Sequence, residues 1–272
     1  MPGTDQHTAP NERAEDHALL CKAVREAGAL ALTYYKADAK HWEKSKGDPV
    51  SEADLAVNAL LAERLQDARP GYGWLSEETE DDARRLTRTR VWVIDPIDGT
   101  RAFIKGKPHF TICGALVEEG RPVLGAVFNP AMDEFFEAVS GGGARLNGAP
   151  IQVSACDAID GCRMAAFGPM FKHPAWREPW PEMEIVDRNS VAYRLALVAC
   201  GQADAAMALN RKNDWDIAAA DLLIHEAGGK VTDHQGAPLI YNREDTKHRS
   251  FIAAGPALYQ AIIARTGKIT LP

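Results

Sequence analysis

Between Val91 and Thr100 the chain reads Val-Trp-Val-Ile-Asp-Pro-Ile-Asp-Gly-Thr, and the chemistry in it belongs to Asp95 and Asp98. Two carboxylates three positions apart, held at the end of a stiff apolar strand, offer the fixed oxygens that a hard divalent cation takes as ligands. Thr100 adds a hydroxyl beside them. Asp, Pro and Gly are also the commonest turn residues, so by themselves these ten positions equally describe a strand and a polar turn.

Carboxylates recur at three other element boundaries. Glu77 and Glu78 follow an apolar run at 72–76, and Asp216 opens a helical pattern at 217–227, with Asp214 as its expected N-cap. Asp54 stands three positions after Ser51, where it serves equally as the far half of a capping box. If Glu77 with Glu78, Asp95 with Asp98, and Asp216 converge, like charges about 4 Å apart repel by about 4 kcal/mol per pair at a typical effective dielectric. Such a cluster must take up protons or hold cations. Oxygen ligands without His or Cys select Mg²⁺ over zinc, and two such ions can polarise a phosphoryl oxygen, activate a water and stabilise a leaving alkoxide.

The elements that must position these groups follow from periodicity. Apolar residues at helical spacing predict a helix over 14–37, and a second helix begins after Ser51. The 38–49 stretch between them is polar. A strand over 72–76 and an Arg-rich connection lead to the Asp95 strand, which Pro96 is expected to end. A short helix is expected over 100–105, where first-turn amides suit a phosphate. Runs at 110–117, 123–128 and 134–139 read as an antiparallel meander, and 151–153 as a further strand. The segment 168–181 is loose. Then come a helix over 190–200 closed by Gly201, a strand over 203–209, the Asp216 helix, a strand over 251–254 and a helix over 256–264.

Composition narrows the classes. The 272 residues are 46% hydrophobic and 25% charged, an ordinary globular balance. A net charge of -7 argues against a nucleic-acid polymer or an anionic membrane as partner. No run approaches the roughly 18 apolar residues of a membrane span. The polar residues 1–13 read as a disordered lead-in, followed by an N-terminal α+β part (14–150) carrying most candidate ligands and a C-terminal α/β part (151–272) supplying Asp216 and substrate contacts. The five cysteines form no Cys-x-x-Cys pair, which suggests reduced core residues of a cytoplasmic protein rather than a zinc site or disulfide framework. Gly141 to Gly143 lacks the Lys and Ser/Thr of a P-loop, and no Gly-x-Ser-x-Gly elbow is present.

Asp-Pro-Ile-Asp-Gly-Thr at 95–100, preceded by Glu77-Glu78 and followed by Trp215-Asp216-Ile-Ala-Ala and Glu226-Ala-Gly-Gly, resembles the inositol monophosphatase superfamily of Mg²⁺-dependent, lithium-sensitive phosphomonoesterases. The resemblance runs from about residue 14 to the end. It implies an α+β fold, a layered α-β-α-β-α sandwich, and a homodimer acting on a small phosphorylated substrate. By the same resemblance, Glu77, Asp95, the Ile97 carbonyl and Thr100 surround a first Mg²⁺, Asp95, Asp98 and Asp216 hold a second, and Asp54 lies near a weaker third. Glu77 and Thr100 would orient the attacking water, and the Gly99 and Thr100 amides would receive the phosphate. Where inositol phosphatases place a glutamate before the Trp-Asp, this chain has Met207-Ala208-Leu209 followed by Arg211-Lys212. An apolar wall at Leu209 beside two cations resembles the 3'(2'),5'-bisphosphate nucleotidase branch, which converts adenosine 3',5'-bisphosphate to AMP. The alternatives are an inositol-1-monophosphatase and, more remotely, a metal-binding regulatory protein without turnover.

Overall fold

The structure, a computed structural model, describes residues 10–37, 39–45, 47–174 and 176–271. Helix α1 (Pro10–Tyr34) begins four residues ahead of the expected start, and the rest of the lead-in lies outside the described residues. The polar 38–49 stretch holds a hairpin, β1 (His41–Ser45) and β2 (Asp48–Ser51). Every residue of β1 is exposed, so no apolar alternation announced it. Helix α2 (Glu52–Ala68) starts at Ser51 as expected, with the Asp54 carboxylate accepting from the Ser51 N–H at 2.8 Å.

A seven-stranded sheet follows: β3 (Gly73–Ser76), β4 (Arg90–Asp98), β5 (Thr111–Glu118), β6 (Arg121–Asn129), β7 (Glu134–Val139), β8 (Gly143–Leu146) and β9 (Ala149–Pro150), in that spatial order. β3 and β4 are parallel; the remaining neighbours are antiparallel, the expected meander among them. Helix α3 (Thr100–Ile104) links β4 to β5. Residues 151–153 form no strand, although Val153 N–H donates to the Ala227 carbonyl.

The second sheet comprises β10 (Arg163–Ala165), β11 (Glu184–Ile185), β12 (Ala205–Ala208), β14 (Lys230–Thr232) and β16 (Phe251–Ala254), in the order β11-β10-β12-β16-β14; β13 (Lys212–Asn213) and β15 (Lys247–His248) pair separately. Helices α4 (Val191–Ala199), α5 (Asp214–Glu226) and α6 (Pro256–Thr266) complete the chain.

Side-chain alternation builds five layers. Along β4, Trp92 and Ile94 face one way into a core with Leu20, Val24 and Ala27 of α1 and Val57, Leu61 and Leu65 of α2. Val91 and Val93 face the other way, into a core with Leu195 and Val198 of α4 and Ile217 and Ile224 of α5. That central helical layer also meets Ala206, Phe251 and Ala253 of the second sheet, whose outer face carries Met164, Met207 and Ile252 against Leu258 and Ile262 of α6. The result is an α-β-α-β-α sandwich. Gly125 permits a close seam between β6 and α5, since a Cβ there would lie 2.6 Å from the Ala219 carbonyl of α5.

Two local expectations are corrected. The Asp95 strand does not stop before Pro96: β4 runs on to Asp98 through an irregularity in its pairing with β5. Proline lacks a donor, and a bulge is where a strand tolerates that loss. The cap of α5 is Asn213, not Asp214, which is buried and receives His248 Nε2 at 2.8 Å and the Asn242 N–H at 2.7 Å.

Candidate active site

In a regular strand, residues three apart point to opposite faces, and Asp95 and Asp98 would diverge. Asp95 pairs with Cys113 and Asp98 with Thr111, so three steps on β4 oppose two on β5. Cys113 and Thr111 share a face, and the extra residue brings both aspartates to it. Asp216, in the first turn of α5, approaches the same face: one carboxylate oxygen from each of Asp95, Asp98 and Asp216 lies within 4.8 Å of the other two. Parallel pairing of Ser76 with Ile94 delivers Glu77 to the same strand end, and the Glu77 N–H donates to the Ile94 carbonyl at 3.3 Å.

Asp98 and Asp216 are each anchored through one oxygen. Asp98 Oδ2 accepts from Ser190 Oγ and from the Ala192 N–H, both at 2.6 Å, at the start of α4. Asp216 Oδ2 accepts from the Asn213 N–H at 2.7 Å. Asp54 Oδ2 is held by Ser51, and its Oδ1 lies 3.1 Å from Thr100 Oγ1. The same hydroxyl is 3.0 Å from the Ile97 carbonyl, and its single proton serves one of the two acceptors at a time. Lys44 Nζ, from β1, reaches Glu77 Oε1 at 3.2 Å and Glu78 Oε1 at 2.7 Å. Gly99 takes φ +95°, and a Cβ there would stand 2.7 Å from the His109 carbonyl, so the turn into α3 requires glycine.

Asp95 differs from the rest. It is buried, and its Oδ1 has no hydrogen-bond partner. Burial first, then the neighbouring Glu77, Asp98, Asp216 and Asp54, hold its carboxyl well above the usual range. Burial raises Glu77 to about 8 despite Lys44, Asp216 to about 7 with the help of Asp98, and Asp54 to about 6; Asp98 is also raised. A buried, unpartnered oxygen among carboxylates that all resist ionisation is a setting that a bound cation would satisfy. Every donor is oxygen, so the residues fit a hard divalent cation.

Residues 12–271 match the inositol monophosphatase family. The chain belongs to that family. Among similar members, the inositol-1-monophosphatase of Mesorhizobium japonicum is 36% identical over 239 residues, covering 83% of this chain and 85% of its own. The Nus factor SuhB of Xylella fastidiosa is 36% identical over 229 residues, covering 80% and 82%. Among solved structures, the suhB protein of Bartonella henselae superposes with a TM-score of 0.79 at 28% identity, covering 93% of this chain and 98% of its own. An IMPase of Thermotoga maritima gives a TM-score of 0.77 at 29% identity, covering 91% and 95%. As a family member the protein is a metal-dependent phosphomonoesterase with the layered fold of its relatives.

The family sequence pattern missed Ser190 and Lys44. Ser190 read only as a helix start, and Lys44 lay in a stretch without periodicity. The residues expected to contact substrate do not gather in one place. Leu209 lines a groove with Met170, His173 and Trp176, whereas Arg211 lines another with Arg243, Lys247 and Arg249. Lys212 is partly buried and close enough to Asp216 to favour its charged form. No helix among the described residues is long and apolar enough to cross a membrane.

Proposed function

We propose that this protein is a Mg²⁺-dependent, lithium-sensitive phosphatase of an inositol monophosphate, with two or three Mg²⁺ per active site and a homodimeric assembly. The observation that carries the reading is the bulge-driven convergence of Asp95, Asp98 and Asp216 around an unpartnered Asp95 oxygen. Glu77, Asp95, the Ile97 carbonyl and Thr100 would hold one ion, Asp95, Asp98 and Asp216 a second, and Asp54 a weaker third. When bound, the ions supply Lewis acidity toward the phosphoryl oxygens, the attacking water and the leaving alkoxide.

The protein's own groups do the positioning. Glu77 and Thr100 Oγ1 would together orient the attacking water at the end of β4. The Gly99 and Thr100 amides, at the opening of α3, would receive the phosphate. Ser190 fixes one oxygen of Asp98 and leaves the other for the cation.

The inositol reading draws support from the inositol-1-monophosphatases of Mesorhizobium japonicum and Rhizobium meliloti, at 36% and 38% identity. The bisphosphate nucleotidase reading draws less: of the residues meant to grip base and second phosphate, Leu209 and Arg211 line separate grooves, and Lys212 alone lies near Asp216. The test is phosphate release from inositol 1-phosphate, adenosine 3',5'-bisphosphate and fructose 1,6-bisphosphate, each with Mg²⁺ and with a chelator. Preference for inositol 1-phosphate is expected. Faster turnover of the nucleotide restores the nucleotidase reading, and no release from any substrate would favour a regulatory metal-binding role.

A further inference from the structure

We propose that His17, Cys21 and Glu137 form a second metal site, separate from the carboxylate centre and suited to a borderline-soft divalent cation such as zinc. His17 and Cys21, four positions apart, share one face of α1, and Glu137 meets them from β7. Cys21 Sγ lies 3.2 Å from Glu137 Oε2 and 3.3 Å from His17 Nε2, and His17 Nε2 lies 3.3 Å from the same Glu137 oxygen. The donors form a nearly equilateral triangle. A tetrahedron's edge is about 1.63 times its centre-to-vertex distance, so this triangle is the face of one whose centre sits about 2.0 Å from each donor, the length of Zn–N and Zn–O bonds and a few tenths of an ångström short of Zn–S.

The donor chemistry differs from that of the active site. Nitrogen, sulfur and oxygen together are a zinc set, whereas the Asp95 cluster is all oxygen. The side chains of His17 and Glu137 keep 25% and 19% of their exposure, which leaves a fourth position open to water. Charge also balances: one thiolate and one carboxylate offset a divalent ion, and the imidazole is neutral because burial lowers its affinity for a proton. Without metal, the Cys21 thiol donates to Glu137, and burial together with that carboxylate pushes the thiol up. Binding therefore breaks the S–H bond, forms a metal–sulfur bond and releases the proton to solvent. The absence of a Cys-x-x-Cys pair hid the site, because the third ligand is 116 residues away from Cys21 and only the packing of α1 on the first sheet supplies it.

The test titrates reduced full-length protein with Co²⁺ and then Zn²⁺ in saturating Mg²⁺. The expected result is the visible spectrum of tetrahedral cobalt with a thiolate-to-cobalt charge-transfer band, both displaced by Zn²⁺. The band should persist in Asp95→Asn, disappear in Cys21→Ser, and require about tenfold or more Co²⁺ in Glu137→Gln. Zn²⁺ should raise the melting temperature of the wild type but not of Cys21→Ser. A wild type without the thiolate band overturns the proposal, as does a band that survives Cys21→Ser or vanishes in Asp95→Asn. If Cys21→Ser fails to fold, His17→Gln puts the same question.

Discussion

At the scale of single residues, the candidate centre is governed by charges that the fold brings together and does not neutralise. Asp95→Asn replaces one of the two oxygens common to both proposed ion positions with an amide nitrogen and removes the charge; turnover should fall more than about 100-fold while the protein melts no lower than wild type, because the buried like-charge repulsion falls too. Ser190→Ala leaves every proposed ligand in place but removes one of the two hydrogen bonds that hold Asp98 Oδ2. Its half-saturating Mg²⁺ should rise about 10- to 100-fold, with activity recovered at high Mg²⁺, as a Mg²⁺ titration of initial rates would show. The raised carboxyls also set a pH dependence. Glu77, Asp216 and Asp54 stand at about 8, 7 and 6 in the folded protein, above the values near 4 of an unfolded chain. Their contribution to stability is therefore complete below about pH 4 and is lost progressively as pH rises from there to about 8, where the last of the three ionises in the folded protein. Melting curves in chelator should drop across that window, and saturating Mg²⁺ should flatten the drop.

At the scale of elements, the β4 irregularity and the α5 seam decide whether the site exists. Pro96 was legible as an interruption, but not as a bulge, because the count of residues on the opposing strand is a property of the pair. The three meander strands, to within two residues at their ends, the Ser51 cap of α2 and the Phe251–Ala254 strand followed directly from periodicity and capping chemistry. Hairpin β1–β2 did not, since an exposed strand has no buried face to imprint on its sequence. Gly125→Ala would drive a methyl group into the Ala219 carbonyl and tilt the helix that carries Asp216. It should cost about 1–3 kcal/mol, read as a lowered thermal midpoint, and reduce activity with it.

At the scale of the whole molecule, five layers press α4 and α5 between two sheets, so residues from both halves of the chain share one central core. Cation binding to the folded form alone should stabilise it by about 2.7 kcal/mol at a Mg²⁺ concentration 100 times the dissociation constant. The melting temperature should therefore climb with the logarithm of Mg²⁺ concentration, and a chelator should abolish turnover. Activity unchanged by the chelator would remove the metal-dependent mechanism.

Sequence by itself determined which residue types were available: carboxylates at strand and helix boundaries, a glycine where the chain must turn sharply, and apolar periods that assign most helices and strands. Those signals are local, carried by the side chain and its near neighbours. Only the tertiary structure decided that Asp95 and Asp98 share a face, that Asp216 joins them from α5, that Leu209 and Arg211 part company, and that Glu137 meets His17 and Cys21. Each of these depends on strand register or helix packing, and a contact between distant residues leaves no periodicity in the chain that makes it.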